Sequence, residues 1–311
     1  MFEKTVGAAA MKIAGKVEVH DLPRICPLVS RETHLDFLNG APFVVEVGGV
    51  RFGDETSVVI AGPCAVESEE QTLEIARSVK ATGADMLRGG AYKPRTSPHD
   101  FQGLGLEGLK ILQAAARETG LPVVTEVMDV RLVETVAQYA DMLQIGSRNM
   151  QNFPLLVEAG RSGKPILLKR GMAASLVEWL GAAEYIANEG NLNIVLCERG
   201  IKAYPSYEYS RYTLDLNVIP AIHEETFLPV IVDPSHATGV ASMVEQASRA
   251  AIEVGADGLI IEVFSGCAGA KRPKCDADQA IDPLTLSRII RYAHRDGKAA
   301  VFVAGRWFRC A

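Results

Sequence analysis

SVVIAGPC (57–64) is a run of apolar residues, Val58 to Ala61, that breaks at Gly62-Pro63 and stops on Cys64. Seven more segments repeat the form: DMLRGGA (85–91), PVVTEV (122–127), DMLQIG (141–146), PILLKRG (165–171), NIVLCERG (193–200), PVIVDPSH (229–236) and GLIIEVF (258–264). Each is short, nearly all apolar and rich in Val, Ile and Leu, as expected of strands buried on both faces. Helical patterns lie between them. SEEQTLEIARSVKATG (68–83) opens on a Ser cap with an acidic first turn and closes on Gly83. SLVEWLGAAEYIANEG (175–190) and SMVEQASRAAIEVG (242–255) also end on glycine. This alternation predicts the α/β class and a single (β/α)8 TIM barrel. An open doubly wound sheet is the competing architecture, but no GxGxxG follows the first strand.

Around this repeat the chain is expected to divide into an N-terminal lead-in (1–55), a (β/α)8 barrel (56–298) and a short C-terminal extension (299–311). PFVVEVGGVRFG (42–53) reads as a hairpin turning at Gly48-Gly49, of a size to plug the bottom of a barrel. AAVFVAGRWFRCA (299–311) is strand-like and is expected to pack on the barrel or on another subunit.

With 48% hydrophobic and 23% charged residues, the chain can bury a full-sized core. Its net charge of −6, without a basic tract or zinc-finger spacing, argues against nucleic acid as a partner. No apolar run approaches the roughly 20 residues of a membrane span, and the N-terminus lacks a signal-peptide core. The six cysteines are irregularly spaced and several fall inside apolar runs, so a reducing, cytoplasmic location is expected.

In a closed barrel the C-terminal strand ends build one mouth. Four tails carry possible metal ligands there: Cys64, His236, Glu262 and Asp276. Strands one and eight are neighbours, so these residues converge. Thiolate, imidazole and two carboxylates suit a borderline divalent ion of the Mn, Fe, Co or Zn class with an open position for Lewis-acid chemistry. The competing reading of Cys64 is a small core residue. Glu262, inside an apolar strand, resists such a reading because a lone buried carboxylate is unfavourable. Cys267 and Cys275 form an alternative second metal pair.

Other tails end in cations. LRGGAYKPRTSP (87–98) places Arg88, Lys93 and Arg95 at one strand tip, with Thr96 beside them; Arg148, Lys169 and Arg199 follow strands four, five and six. Isolated cations around one rim suit a multiply anionic, phosphorylated small molecule. Glu126 either orients a water or a lysine, or pairs structurally with Lys169.

GPCAVES, LRGGAYKPRTSPHDFQGLG, TEVMD, QIGSRNMQNF, LLKRG, CERGI and DPSHATG, in this order, resemble the 3-deoxy-D-arabino-heptulosonate 7-phosphate (DAHP) synthases. The similarity is to the type Iβ branch, related to the 3-deoxy-D-manno-octulosonate 8-phosphate synthases. It implies a metal-dependent aldol-type condensation of phosphoenolpyruvate with erythrose 4-phosphate, the first step of the shikimate pathway. It further implies a metal held by Cys64, His236, Glu262 and Asp276. Phosphoenolpyruvate would be held by Arg88, Lys93, Arg148, Lys169 and Arg199, and the aldose phosphate by Arg95 and Thr96. Lys93 is the candidate proton donor, Glu126 the group that positions water, and the expected assembly is a homo-oligomer, dimer or tetramer. The KPRT motif favours erythrose 4-phosphate over arabinose 5-phosphate.

The chain departs from the family after strand eight. IEVF stands for IEVH, SGCAGAKRPKC replaces a short loop, and Ala277-Asp278 follow Asp276 where Gly and Pro are usual, which brings Asp278 into competition as a ligand. A paralogue acting on another aldose or aldose phosphate is therefore the alternative, and a non-catalytic ligand-binding barrel the third reading. No chorismate-mutase bundle or ferredoxin-like module fits before residue 55, so no built-in feedback domain is expected.

Overall fold

The computed structural model describes residues 22–32, 43–95, 97–204, 207–265, 273–295, 301–303 and 306–308. Eight parallel strands close into a barrel: β3 (Val58–Gly62), β4 (Met86–Arg88), β5 (Val123–Glu126), β6 (Met142–Ile145), β7 (Ile166–Lys169), β8 (Ile194–Glu198), β9 (Val230–Val232) and β10 (Gly258–Glu262). Chain order is preserved around the ring, and β10 closes it by pairing with β3 from Gly258↔Val58 to Glu262↔Gly62. Every residue of these strands is buried, which accounts for their lack of apolar–polar alternation.

The observed strands are shorter than the apolar runs suggested. PVIVDPSH stops as a strand at Val232 because Asp233 caps a short helix, Pro234–Thr238, accepting from the His236 N–H at 2.9 Å. His236 thus stands on a helix rather than in a turn. The helix Glu69–Thr82 has the expected ends: Ser68 accepts from the Gln71 N–H, and Gly83 is left-handed at φ 93°. The helix Leu176–Ala187 carries a Ser175/Glu178 capping box but ends on Asn188, ahead of Gly190, and Ala241–Glu253 ends on Val254 rather than Gly255.

The lead-in hairpin, β1 (Val45–Val47) and β2 (Val50–Phe52), pairs antiparallel. Val45, Val47 and Phe52 pack into the barrel lumen with Val58, Ile60 and Met86. Gly48 lies against Pro122 and Gly53 faces Pro229, the residues just before β5 and β9, so the hairpin seals the N-terminal end. A second apolar layer lies between the strands and the surrounding helices. Beyond the barrel, β11 (Val301–Val303) and β12 (Arg306–Phe308) pair antiparallel, in keeping with the strand-like character of that segment.

Candidate active site

At the end opposite the hairpin, five strands finish on a charged residue: Arg88, Glu126, Lys169, Glu198 and Glu262. All are buried, a placement tolerated only when such groups meet one another or a ligand. A cleft of about 140 Å³ opens above them, lined by Arg88, Lys93, Arg95, Arg148, Lys169 and Arg199 together with Glu126, His236 and Asp276. Thr96, Cys267, Lys271 and Arg272 lie outside the described residues.

Cys64, His236, Glu262 and Asp276 each turn one donor atom into a common space, all four within 4.8 Å of one another. His236 Nε2 is 3.3 Å from Glu262 Oε1 and 3.9 Å from Asp276 Oδ2, which is 3.5 Å from Cys64 Sγ. Asp276, and not Asp278, joins the cluster; it is the one non-glycine with positive φ (46°) among the described residues. The imidazole is aimed by Asp233, whose Oδ2 lies 2.7 Å from His236 Nδ1. With Nδ1 as donor, Nε2 keeps its lone pair for the cluster. Burial holds His236 below its ordinary pKa against the pull of Asp233 and Glu262, which favours that neutral form. Burial alone would raise Asp233, but His236 and Lys169 outweigh it and hold the carboxyl well below the usual range.

Glu262 Oε1 is buried without a hydrogen-bond donor, although Arg88 Nη2 lies 3.1 Å away. A fully buried carboxylate oxygen left in this way beside a thiol and an imidazole suits a cation. The donor set therefore fits a borderline divalent ion. The Cys64 thiol is pushed well above its ordinary pKa by its hydrogen bond with Cys275 and by burial, so metal uptake would displace a proton.

The cations divide by what already occupies them. Arg88 keeps Nε and Nη1 buried without partners. Lys93 Nζ is 3.2 Å from both the carbonyl and the sulfur of Cys64; burial opposes its charge, but the sulfurs of Cys64 and Cys275 and the Glu262 carboxylate outweigh it and raise its pKa. Lys169 is paired with Asp233. Of the two readings of Glu126, the structural pairing with Lys169 is corrected: Asp233, just after β9, takes that place, and Glu126 instead accepts from Gln144 Nε2 at 3.4 Å. Arg199 stacks on Tyr212 at 4.1 Å. Arg148 is exposed and reaches back to the Pro94 carbonyl at 3.5 Å. Arg95 meets Cys275 Sγ at 2.7 Å and Asp100 at 3.3 Å.

Several neighbours of the cluster carry little or no mark in the sequence. Asp233 had a signal, since it stands three residues before His236 at a helix N-cap. Arg211, 3.2 Å from Asp276 Oδ1, and Gln279, 2.6 Å from Glu262 Oε2, had none, because the chain fold alone brings them there. Cys275 was matched with Cys267, yet its sulfur lies 3.2 Å from Cys64 Sγ.

The DAHP synthetase I family matches residues 33–299. Phospho-2-dehydro-3-deoxyheptonate aldolase of Thermotoga maritima is 50% identical over 236 residues, 76% of this chain and 68% of that protein. A 2-dehydro-3-deoxyphosphooctonate aldolase of Syntrophotalea carbinolica is 36% identical over 241 residues, 71% of this chain and 85% of the relative. The crystal structure of the Thermotoga maritima DAHP synthase superposes with a TM-score of 0.78 at 46% identity, covering 85% of this chain and 74% of that one. A truncated form of the same organism's synthase gives 0.76 at 42% identity, with 86% and 94% covered.

Proposed function

The chain belongs to the DAHP synthetase I family, and from that premise we propose that it condenses phosphoenolpyruvate with erythrose 4-phosphate and water to give DAHP and inorganic phosphate. The observation that carries this reading is Arg88: two buried N–H groups without partners stand beside a four-donor cluster, at the base of a cationic cleft. That is a seat for an anion next to a seat for a cation.

Phosphoenolpyruvate is bound by Arg88, Lys93, Arg148, Lys169 and Arg199, whose charges orient its carboxylate and phosphate. The phosphate of the aldose is taken by Arg95 and Thr96. A divalent ion of the Mn, Fe, Co or Zn class, held by Cys64, His236, Glu262 and Asp276, supplies Lewis acidity when bound. Carbon C3 of phosphoenolpyruvate forms the new bond to the aldehyde carbon, and Lys93 delivers a proton to the aldehyde oxygen. Water held by Glu126 adds at C2 and passes one proton to that carboxylate. Cleavage of the bond between C2 and the phosphate-ester oxygen then releases phosphate, which takes the C2 hydroxyl proton, and leaves the ketone.

The organisation that serves this chemistry is a lead-in over 1–55, a barrel over 56–298 and an extension over 299–311. Buried free thiols at Cys26, Cys64, Cys197 and Cys275 support a reducing, cytoplasmic setting. The active form is a homo-oligomer, dimer or tetramer, which sedimentation of the purified chain would test.

The deciding experiment is phosphate release from phosphoenolpyruvate by chelator-stripped protein, with Mn²⁺ returned, on erythrose 4-phosphate or arabinose 5-phosphate. Metal-restored release with erythrose 4-phosphate alone is expected. Release with arabinose 5-phosphate alone would transfer the chain to the octulosonate reaction, and release undiminished by stripping would overturn the metal assignment.

A further inference from the structure

Each carboxylate of the metal cluster has one oxygen taken by a neighbour and one turned inward. Glu262 Oε2 accepts from Gln279 Nε2 at 2.6 Å, while Oε1 faces His236 and has no hydrogen-bond donor. Asp276 Oδ1 is paired with Arg211 Nη1 at 3.2 Å, while Oδ2 faces Cys64 and His236. The two neighbours are themselves joined, for Arg211 Nη1 also lies 3.4 Å from Gln279 Oε1. The Gln279 backbone N–H adds a contact to the Asp276 carbonyl at 3.3 Å.

This arrangement fixes the Gln279 amide in one sense. A guanidinium can only donate, so it faces the amide oxygen, and the amide nitrogen is left to donate to the carboxylate. Gln279 is buried and Arg211 is partly exposed at the cleft, so the pair runs from solvent to the deepest ligand. None of the chemistry assigned to the cleft uses Gln279.

We propose that Gln279 and Arg211 form a positioning clamp that commits Glu262 and Asp276 to the metal through a single oxygen each. The clamp rests on the metal reading above and deepens it: it assigns coordination mode and the stiffness of two ligands. Without the amide, Glu262 Oε2 becomes free to rotate inward and bind through both oxygens. Asp276 would lose the group that holds its turn against Glu262.

The test is the Gln279→Met protein, close in volume but without donor or acceptor. Mn²⁺ affinity is read by competition with a fluorescent chelator, and coordination by the visible absorption of the Co²⁺-loaded form. Mn²⁺ binding is expected to weaken about 10- to 100-fold, the usual effect of removing a group that orients a ligand. The Co²⁺ bands should shift and lose intensity as coordination number rises, a change that general destabilisation would not produce. Should Gln279→Met fail to fold, Arg211→Met carries the same measurements from the exposed end of the clamp, with weaker Mn²⁺ binding expected again. Parent-like affinity and spectra in the folded variants overturn the clamp alone. Parent protein that takes up no Mn²⁺ overturns the metal reading and the clamp together.

Discussion

Asp233 is the residue on which two functions meet, because one carboxylate oxygen serves both His236 Nδ1 and Lys169. Asp233→Asn keeps the size and the helix cap but turns an N–H toward the imidazole, which favours the tautomer with its lone pair on the wrong nitrogen. Mn²⁺ affinity is expected to fall about 10- to 100-fold, read by chelator competition, with a parallel loss of phosphate release. Gly146 is the other informative position. A Cβ there would lie 2.0 Å from Glu126 Oε1, so Gly146→Ala must push that carboxylate aside. Displacements of this kind lower turnover by up to about 100-fold. Steady-state kinetics should show a fall in kcat with Mn²⁺ affinity unchanged; an unaltered kcat would remove Glu126 from the reaction.

Among elements, the helix Leu176–Ala187 holds the lead-in through one side chain, alongside the Ser30–Thr226 bridge. The Glu184 carboxylate accepts the N–H groups of Leu28 and Val29 at 3.0–3.1 Å. Burial lifts its pKa to about 7, against the lowering effect of those two bonds, and neighbouring Cys26 is raised to about 12 by burial and by Glu184. The folded state therefore holds a proton that the unfolded chain has already released. Its contribution to stability is full below the ordinary carboxyl value and is lost as pH rises through about 7. Denaturation at pH 5 and pH 8 should show the difference, and Glu184→Gln should reduce it. The hairpin floor makes a separate prediction. Phe52 is fully buried in the lumen, so Phe52→Ala should lower unfolding free energy by about 3–5 kcal/mol, measured by urea titration.

For the whole molecule, the proposed metal ligands are drawn from distant parts of the chain, so a bound ion is expected to stabilise the fold globally. Mn²⁺ at about 100 times its Kd adds about 2.7 kcal/mol, which should raise Tm by about 5 °C for a domain of this size. Differential scanning fluorimetry with and without chelator checks it, and His236→Ala should cancel the shift. Most of this architecture was legible in the sequence, because strands buried on both faces read as short, mostly apolar segments between helical patterns; Gln144 inside β6 and Thr125 in β5 are polar exceptions. Strand ends were less legible: DPSH reads as a polar tail, and only the capping geometry of Asp233 converts it into helix. The four candidate ligands could be picked out because each ends or follows a strand. Gln279 and Arg211 could not, since their partners are set by where separate loops cross, and the Asp233 partner of Lys169 is likewise fixed only by the fold.

The closing seam of the barrel has a consequence for biosynthesis. Because β3 pairs with β10, Cys64 and Glu262 stand on either side of the join between the first and last staves. A ribosome must deliver nearly the entire chain before these two residues can meet. Ion capture at the proposed cluster would therefore be a late event, and nascent chains arrested short of Asp276 should carry Cys64 as an ordinary reactive thiol, open to alkylation until the seam shuts.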